Sequence, residues 1–469
     1  MRGFWLDEAL TSEGLAMSPL PALSGEQRTD VCIVGGGYTG LWTAIWLKQR
    51  DPSIDVVIID KDICGGGASG RNGGFCMTWM SKAETLVKLC GEADAIRLLR
   101  ESETAVLRIG EFCAKHDIDC EFRQEGWVWT ASNESQRRAW GGTTEALDRL
   151  GLRPFESLSP ARLESLTGSS AFLEGVFEAG VATVQPARLA RGLRRVCLDL
   201  GVHIFEQTRM RALARGGSPV VTTTAGRIVA RKVVLGLNAW AHELPEFRRS
   251  VLPVQSDVIA TEPIPDQLHK LGLDRCIAIS DSRLLVSYYR PTVGGRLVWG
   301  YGGGPIPAWG RVAENFDGAA TRESETRAMM TRFYPTLSRT KLSSSWRGPA
   351  TRTASGLPFF GHLNGHPDIV YGHGYCGNGV GPSYLGGRIL ASLAMGEKDE
   401  WSQNGLTRGE IGPSLPREPI RYFGSLLIRA AAIRADNAFD RNRQPTALDR
   451  RLVALMPSGL TPTNGKKSR

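Results

Sequence analysis

Several features that would settle a protein's class early are scarce here. The nine cysteines are scattered with no C-x-x-C pair, and the seven histidines show no spacing suited to zinc. This argues against a disulfide framework or a zinc module and reads as reduced, intracellular thiols. No stretch reaches the roughly 18 consecutive apolar residues of a membrane-crossing helix, so stable membrane insertion is not expected. The opening residues, Met1-Arg-Gly-Phe-Trp-Leu-Asp-Glu8, turn acidic early and lack an apolar stretch, unlike a secretory signal. A cytoplasmic location is the expectation. Acidic residues are outnumbered, 48 against 57 Lys and Arg, for a net charge of +9. Part of that excess is local: Arg429, Arg434, Arg441, Arg443, Arg450, Arg451, Lys466, Lys467 and Arg469 crowd the end of the chain. A solvated basic tail is the expected reading, with no nucleic-acid partner.

Glycine is abundant, 55 of 469 residues, or about 12% against an average of about 7%. Its placement is the strongest signal. An apolar run, Asp30-Val-Cys-Ile-Val34, leads into Gly35, Gly37 and Gly40, which fit G-x-G-x-x-G. A helical stretch follows, then a second apolar run, Asp55-Val-Val-Ile-Ile-Asp60. Gly35 permits the tight turn, Gly37 lets backbone approach a pyrophosphate, and Gly40 lets helix pack on strand. The helix N-terminus offers N–H groups and partial positive charge to phosphates. Asp60 ends the second strand, where a carboxylate accepts ribose hydroxyls. The pattern predicts dinucleotide binding.

Further along, residues 82–116 carry helical periodicity through Leu86, Leu89, Ala93, Ile96, Leu99, Ala105, Ile109 and Phe112. Helical pattern returns near 134–150, 186–200 and 383–395, while residues 1–28 read as an irregular arm. Leu284–Arg290, the turn Gly294-Gly295 and Arg296–Gly300 predict a hairpin. Two more glycine-rich stretches stand out, Gly67-Ala-Ser-Gly-Arg-Asn-Gly-Gly74 and Gly374-Tyr-Cys-Gly-Asn-Gly-Val380.

With Asp30–Gly40 and Asp60, these two stretches resemble the D-amino-acid oxidase / glycine oxidase superfamily of FAD-dependent oxidoreductases. The likeness is strongest to its γ-glutamylputrescine oxidase-like branch, and it covers about residues 25–400. Gln185–Leu189 and Val233–Trp240 add support. The resemblance implies an α/β fold: a Rossmann-type, glutathione-reductase-like FAD domain interleaved with a substrate domain of antiparallel sheet plus helices. Segments 25–119, 181–244 and 346–400 would form the first, 120–180 and 245–345 the second, and 401–469 a helical, basic extension. Carried over position by position, Gly35, Gly37, Thr39 and Gly40 would hold the pyrophosphate. Asp60 would serve the adenosine ribose, the neighbouring Lys61 would join the cofactor site, and Met210 would meet adenine through its backbone. Ala68 and Ser69 would lie near the phosphates, and Arg71, Asn72, Gly73 and Gly74 along the flavin. Gly236 would join the nucleotide site. Gly374, Tyr375, Gly377, Asn378, Gly379 and Val380 would cap the pyrimidine end, where backbone N–H groups stabilise the negative charge of reduced flavin.

The sequence departs from the family at three points. Cys376 and Asn378 replace Ser and His of the third motif. Ala350 stands where glycine-oxidase-like members carry a carboxylate-binding Arg, which disfavours a plain α-amino acid; Arg347 or Arg352 would either replace it with altered geometry or serve a surface or structural role. Sarcosine-oxidase members of the family link FAD through a Cys near this segment, but no cysteine lies between Cys276 and Cys376, so the resemblance implies non-covalent FAD. The family chemistry implies hydride transfer from an amine's α-carbon to flavin N5, with the imine hydrolysing to a carbonyl. Reoxidation by O2 would release H2O2. Such a reaction needs a neutral amine in a dry pocket. Aromatic candidates for that pocket are Trp79, Tyr288, Tyr289 and Trp346, with one of the two tyrosines facing inward by strand alternation. His373 reads as a hydrogen-bonded structural residue. A dehydrogenase passing electrons to quinone or a carrier protein, and a non-catalytic dinucleotide-binding module, are the alternatives. Finally, Ile420, Phe423, Leu427 and Ala430/Ala431 share a helical face. Packing on the protein's own surface is the expectation, because the segment is short and interrupted by Gly424; a helix lying on a membrane is the alternative.

Overall fold

The computed structural model describes residues 3–14, 20–312, 316–408 and 415–456. Its first sheet has eight strands. The main path runs Phe359–Leu363, His366–His373, Gly226–Leu235, Gly25–Val34, Val56–Ile59 and His203–Phe205, with Val220–Thr222 and Ala212–Ala214 attached beside it. The pairings from His366–His373 through to His203–Phe205 are all parallel. Residues 31–34 and 56–59 are buried throughout, the near-continuous apolar pattern of strands covered on both faces. Helices Tyr38–Arg50, Pro186–Asp199 and Pro382–Met395 pack closely beside one another. A Cβ on Gly387 would fall 2.5 Å from Trp42, and the Tyr38 hydroxyl donates to the Pro186 carbonyl at 2.7 Å.

The second sheet also has eight strands, in the order Leu342–Arg352, Leu252–Thr261, Leu297–Tyr301, Ser287–Pro291, Ala278–Asp281, Trp127–Ala131, Glu174–Glu178 and Phe155–Ser157. Its pairings are antiparallel except for Ala278–Asp281 with Trp127–Ala131. The predicted hairpin is present as Ser287–Pro291 and Leu297–Tyr301. Leu342–Arg352 pairs along its length with Leu252–Thr261, so position 346 falls inside a strand of this sheet. The periodic stretch 82–116 forms two helices, Ala83–Cys90 and Glu92–Lys115, broken at Gly91 with φ 79°.

The start of the chain differs from the irregular arm expected. Phe4–Glu13 is a helix that buries Trp5, Leu6 and Ala9. The Trp5 and Trp346 rings lie 6.3 Å apart, and the Arg290 guanidinium sits 5.0 Å from the Trp5 ring. The helix is too short for its periodicity to show in sequence, and distant residues hold it: Gln185 Nε2 donates to the Trp5 carbonyl at 2.8 Å. Among the described residues no helix is long and apolar enough to cross a membrane, and no group of His, Cys, Asp or Glu is arranged to hold a metal. Lys466, Lys467 and Arg469 lie outside the described residues.

Candidate active site

The three glycine-rich stretches meet around one cavity of about 1350 Å³ between the sheets. The first turn is built from backbone. Gly35 has φ 117°, and a Cβ there would fall 2.6 Å from the Gly236 carbonyl oxygen. A Cβ on Gly40 would fall 2.0 Å from the Gly35 carbonyl oxygen, which is why the helix can begin this close to the strand. The helix starts at Tyr38 with no side-chain cap. The Tyr38 N–H is held by Ser69 Oγ at 3.0 Å, which ties the second glycine stretch to the first. Asp60 accepts from the Gly36 N–H at 2.7 Å and the Asp62 N–H at 2.9 Å. Burial dominates its titration and pushes the carboxyl up to about 6, against the lowering effect of those two bonds.

The second stretch is stitched by its own side chains. Arg71 donates through Nε to the Gly66 carbonyl at 2.8 Å, and through Nη1 to the Phe316 carbonyl at 2.8 Å. Asn72 Nδ2 bonds the Ser69 carbonyl at 2.9 Å while its Oδ1 takes the Gly74 N–H at 2.7 Å. Buried Arg290 holds the Gly73 carbonyl at 3.0 Å from the far side. In the third stretch, Gly374 has φ 89° and Cys376 has φ 56°. Arg352 donates to the Cys376 carbonyl, and Cys376 Sγ bonds the Gly374 carbonyl at 3.0 Å, so this thiol is spent on local structure. The Thr39 hydroxyl donates to Tyr375 Oη at 3.1 Å, pinning the third stretch to the first helix.

Most of the predicted cofactor residues line the cavity: Gly35, Gly37, Thr39, Asp60, Lys61, Ala68, Ser69, Arg71, Asn72, Gly73, Met210, Gly236, Tyr375, Gly377, Asn378, Gly379 and Val380. Gly40, Gly74 and Gly374 sit behind that surface, where side chains would strike Gly35, Val184 and Thr353 respectively. Lys61 Nζ stands 4.1 Å from the Trp240 ring, itself part of the lining. Of the four predicted aromatics only Tyr288 reaches the cavity. Tyr289, next in the strand, points the other way, stacked 3.9 Å from Trp299 and bonded to Tyr334 Oη at 2.7 Å. Trp79 is buried outside the lining, its N–H held by Ser102. Trp346 packs on the first helix and donates from Nε1 to the Arg71 carbonyl at 2.9 Å. His373 is not hydrogen-bonded as expected; both ring nitrogens are buried without partners among Phe247, Phe359 and Tyr371. Burial drives its pKa down to about 3, so it stays neutral.

Other lining residues escaped the sequence reading. Phe75, Trp127 and Trp129 stand in the cavity wall, with Phe75 5.8 Å from Tyr288 and the two indoles 5.3 Å apart. Trp127 and Trp129, two residues apart, share one face of their strand, but nothing local fixes which face is inward. The Tyr288 hydroxyl meets Ser256 Oγ at 2.9 Å. Lys82 and Arg352 also line the cavity, each with its pKa lowered mainly by burial. They are close enough for their charges to interact. Asp281 lines it too, its carboxyl pushed up to about 7 by burial despite Arg283.

The residues present fit a dinucleotide. Side chains at Gly35 or Gly40 would close the cradle, and Asn378 Oδ1 is buried at the cavity without a partner. Three glycine-rich loops wrapped around one cavity suit a flavin-type oxidoreductase. The chain belongs to the DAO family, described as FAD dependent oxidoreductase, whose profile matches residues 30–393. It is 30% identical to the probable oxidoreductase OrdL of Rhizobium meliloti over 387 residues, 81% of this chain and 86% of that one. It is 28% identical to the γ-glutamylputrescine oxidoreductase of Escherichia coli over 391 residues, 82% of this chain and 88% of that one. Among solved structures, glycine oxidase of Geobacillus kaustophilus shares the fold with a TM-score of 0.65 at 22% identity, covering 80% of this chain and 96% of that one.

Proposed function

We propose that this protein oxidises the C–N bond of a small-molecule amine, with FAD held non-covalently and reoxidised by O2. The observation that carries the reading is the joining, in one cavity, of a backbone-built dinucleotide cradle and an aromatic wall of Phe75, Trp127, Trp129 and Tyr288. The first sheet's segments would form the FAD domain and the second sheet the substrate domain. Gly35, Gly37 and Thr39 would hold the pyrophosphate, Asp60 the ribose, residues 71–73 the flavin's length and residues 375–380 its pyrimidine end. Bound there, FAD supplies the acceptor for the hydride that leaves the amine's α-carbon.

The protein's own part is to place the amine and keep it neutral. The aromatic wall excludes water and accepts an aliphatic chain. The half-buried cations Lys82 and Arg352 disfavour the protonated form of an amine beside them and offer a counter-charge to an anionic group elsewhere on the substrate. With Ala350 at the position of the family's clamp, that counter-charge would serve a remote anion rather than an α-carboxylate. A reducing compartment such as the cytoplasm accords with nine free, buried cysteines. The test is an anaerobic absorbance titration with a panel of amines. One amine class should bleach the flavin, and admitting O2 should restore the colour with H2O2 release. Bleaching that O2 fails to reverse would instead mark a dehydrogenase, and no bleaching by any amine would sink the proposal.

A further inference from the structure

The C-terminal helix Ile420–Phe439 packs Ile433 and Phe439 against the second sheet's core but leaves three large apolar residues in the open. Its buried side is small: Ala432 and Ala435 join the core of the second sheet, and Asp436 accepts the N–H groups of Leu284 and Leu285. In its first two turns Ile420, Phe423 and Leu427 point outward, while Tyr422, Leu426 and Ile428 are half-buried. Ile420 is 70% exposed, Phe423 57% and Leu427 59%. Their spacing sets them in one stripe along the helix. Leu455, just past the helix Ala447–Val453, is 67% exposed. Trp309 is half-exposed, with its ring 6.2 Å from Tyr422. Ile420 and Leu455 also line the cavity, so this apolar surface includes the cavity's rim. Single exposed leucines are ordinary; a joined set of large side chains is not.

The charges of the same segment are sorted. Every acidic residue of 415–456 is engaged toward the protein. Glu418 pairs with Arg421, Asp449 with Arg434, and Asp440 with Arg283 and Arg332, while Asp436 takes the two N–H groups above. Arg417, Arg441, Arg443, Arg450 and Arg451 are exposed, and none has an acidic partner among the described residues. The segment therefore shows solvent bulky apolar groups and uncompensated cations.

We propose that this surface docks the protein on an anionic phospholipid membrane. Phe423, Leu427 and their neighbours would enter the boundary between headgroups and acyl chains, and the arginines would lie over the headgroups. A second copy of the chain fits less well, because a two-fold contact would set the same five cations against themselves. In the docked state the rim formed by Ile420 and Leu455 faces the lipid.

The test is flotation of the full-length flavoprotein with vesicles of phosphatidylcholine alone or mixed with phosphatidylglycerol. The protein should float with the mixed vesicles and not with the neutral ones, and high salt should weaken the association. A Phe423→Ser, Leu427→Ser double variant should lower the partition roughly tenfold or more, and Arg443→Gln with Arg451→Gln a few-fold. These four side chains lie outside the cavity lining, so an unchanged Tm would verify the fold. No flotation with mixed vesicles, or flotation that neither double variant alters, would overturn the proposal. So would a wild-type dimer that the Phe423, Leu427 variant turns into a monomer, since a second copy would then cover the patch.

Discussion

The two ends of the cavity are built by different means. At the nucleotide end the contacts that matter are backbone: a Cβ on Gly35 or Gly40 would strike carbonyl oxygens at 2.6 and 2.0 Å. At the aromatic end they are side chains carried by Trp127–Ala131 and Ser287–Pro291. The neighbours Tyr288 and Tyr289 condense the contrast. They share a strand and a chemistry, yet one lines the cavity and bonds Ser256 while the other stacks on Trp299 in the core. Where backbone faces backbone, as at Gly35 and Gly40, no atom can be added; a side-chain wall depends on which face the pleat turns inward.

That comparison can be broken first at its tightest point. Gly40→Val should cost upward of about 3 kcal/mol and yield protein without flavin, because rigid backbone cannot move aside. Flavin absorbance per protein and the denaturation midpoint check it; a stable, yellow variant would show the cradle is less tight than its geometry. The next effect separates the tyrosines. Tyr288→Ala should lower kcat/KM by roughly tenfold or more through lost positioning, with little change in Tm. Tyr289→Phe should leave kcat/KM alone and cost stability on the order of 1 kcal/mol, since Tyr334 loses its 2.7 Å partner.

Next in size comes the half-buried Asp60. Its carboxyl sits at about 6, above the ordinary 3.8, so the folded chain holds that proton more tightly than the unfolded one. Without FAD, stability should therefore be full below 3.8 and fall as pH rises towards about 6. FAD affinity should run the other way, because ribose hydroxyls donate to the ionised form. It should weaken about tenfold for each pH unit below the carboxyl's own value. Asp60→Asn should flatten both profiles; a pH-independent Kd in the parent would remove Asp60 from the ribose. The smallest effect is Gly37→Ala. There the added Cβ would fall 3.0 Å from Ser69 Oγ, a hydroxyl that can rotate. FAD affinity should drop only a few-fold, roughly 1 kcal/mol, measured by fluorescence titration.

Local sequence carried the nucleotide end for a physical reason. A strand, a turn that needs φ above zero at Gly35 and a helix that needs no Cβ at Gly40 are constraints between near neighbours. They leave their mark as glycines at fixed spacing, and Asp60 follows at the end of the next strand. The same holds for the helices at 82–116 and for the hairpin of Ser287–Pro291, whose periodicities are local.

The aromatic end was only half legible. The pairing of Ala278–Asp281 with Trp127–Ala131 joins residues about 150 positions apart and sets which face of both strands looks into the cavity. Periodicity could put Trp127 and Trp129 together but could not aim them. The helix Phe4–Glu13 was missed because its support comes from Gln185, Arg290 and Trp346, far along the chain. In the C-terminal helix the stripe Ile420, Phe423, Leu427 was visible as a pattern, and burial was the natural reading; the structure instead buries the alanines and leaves the stripe outside. The sequence by itself determined the dinucleotide cradle and the order of the elements, because those rest on contacts between residues close in the chain. Only the tertiary structure decided which side chains face the cavity and which face solvent, because that depends on what each strand and helix meets across the fold.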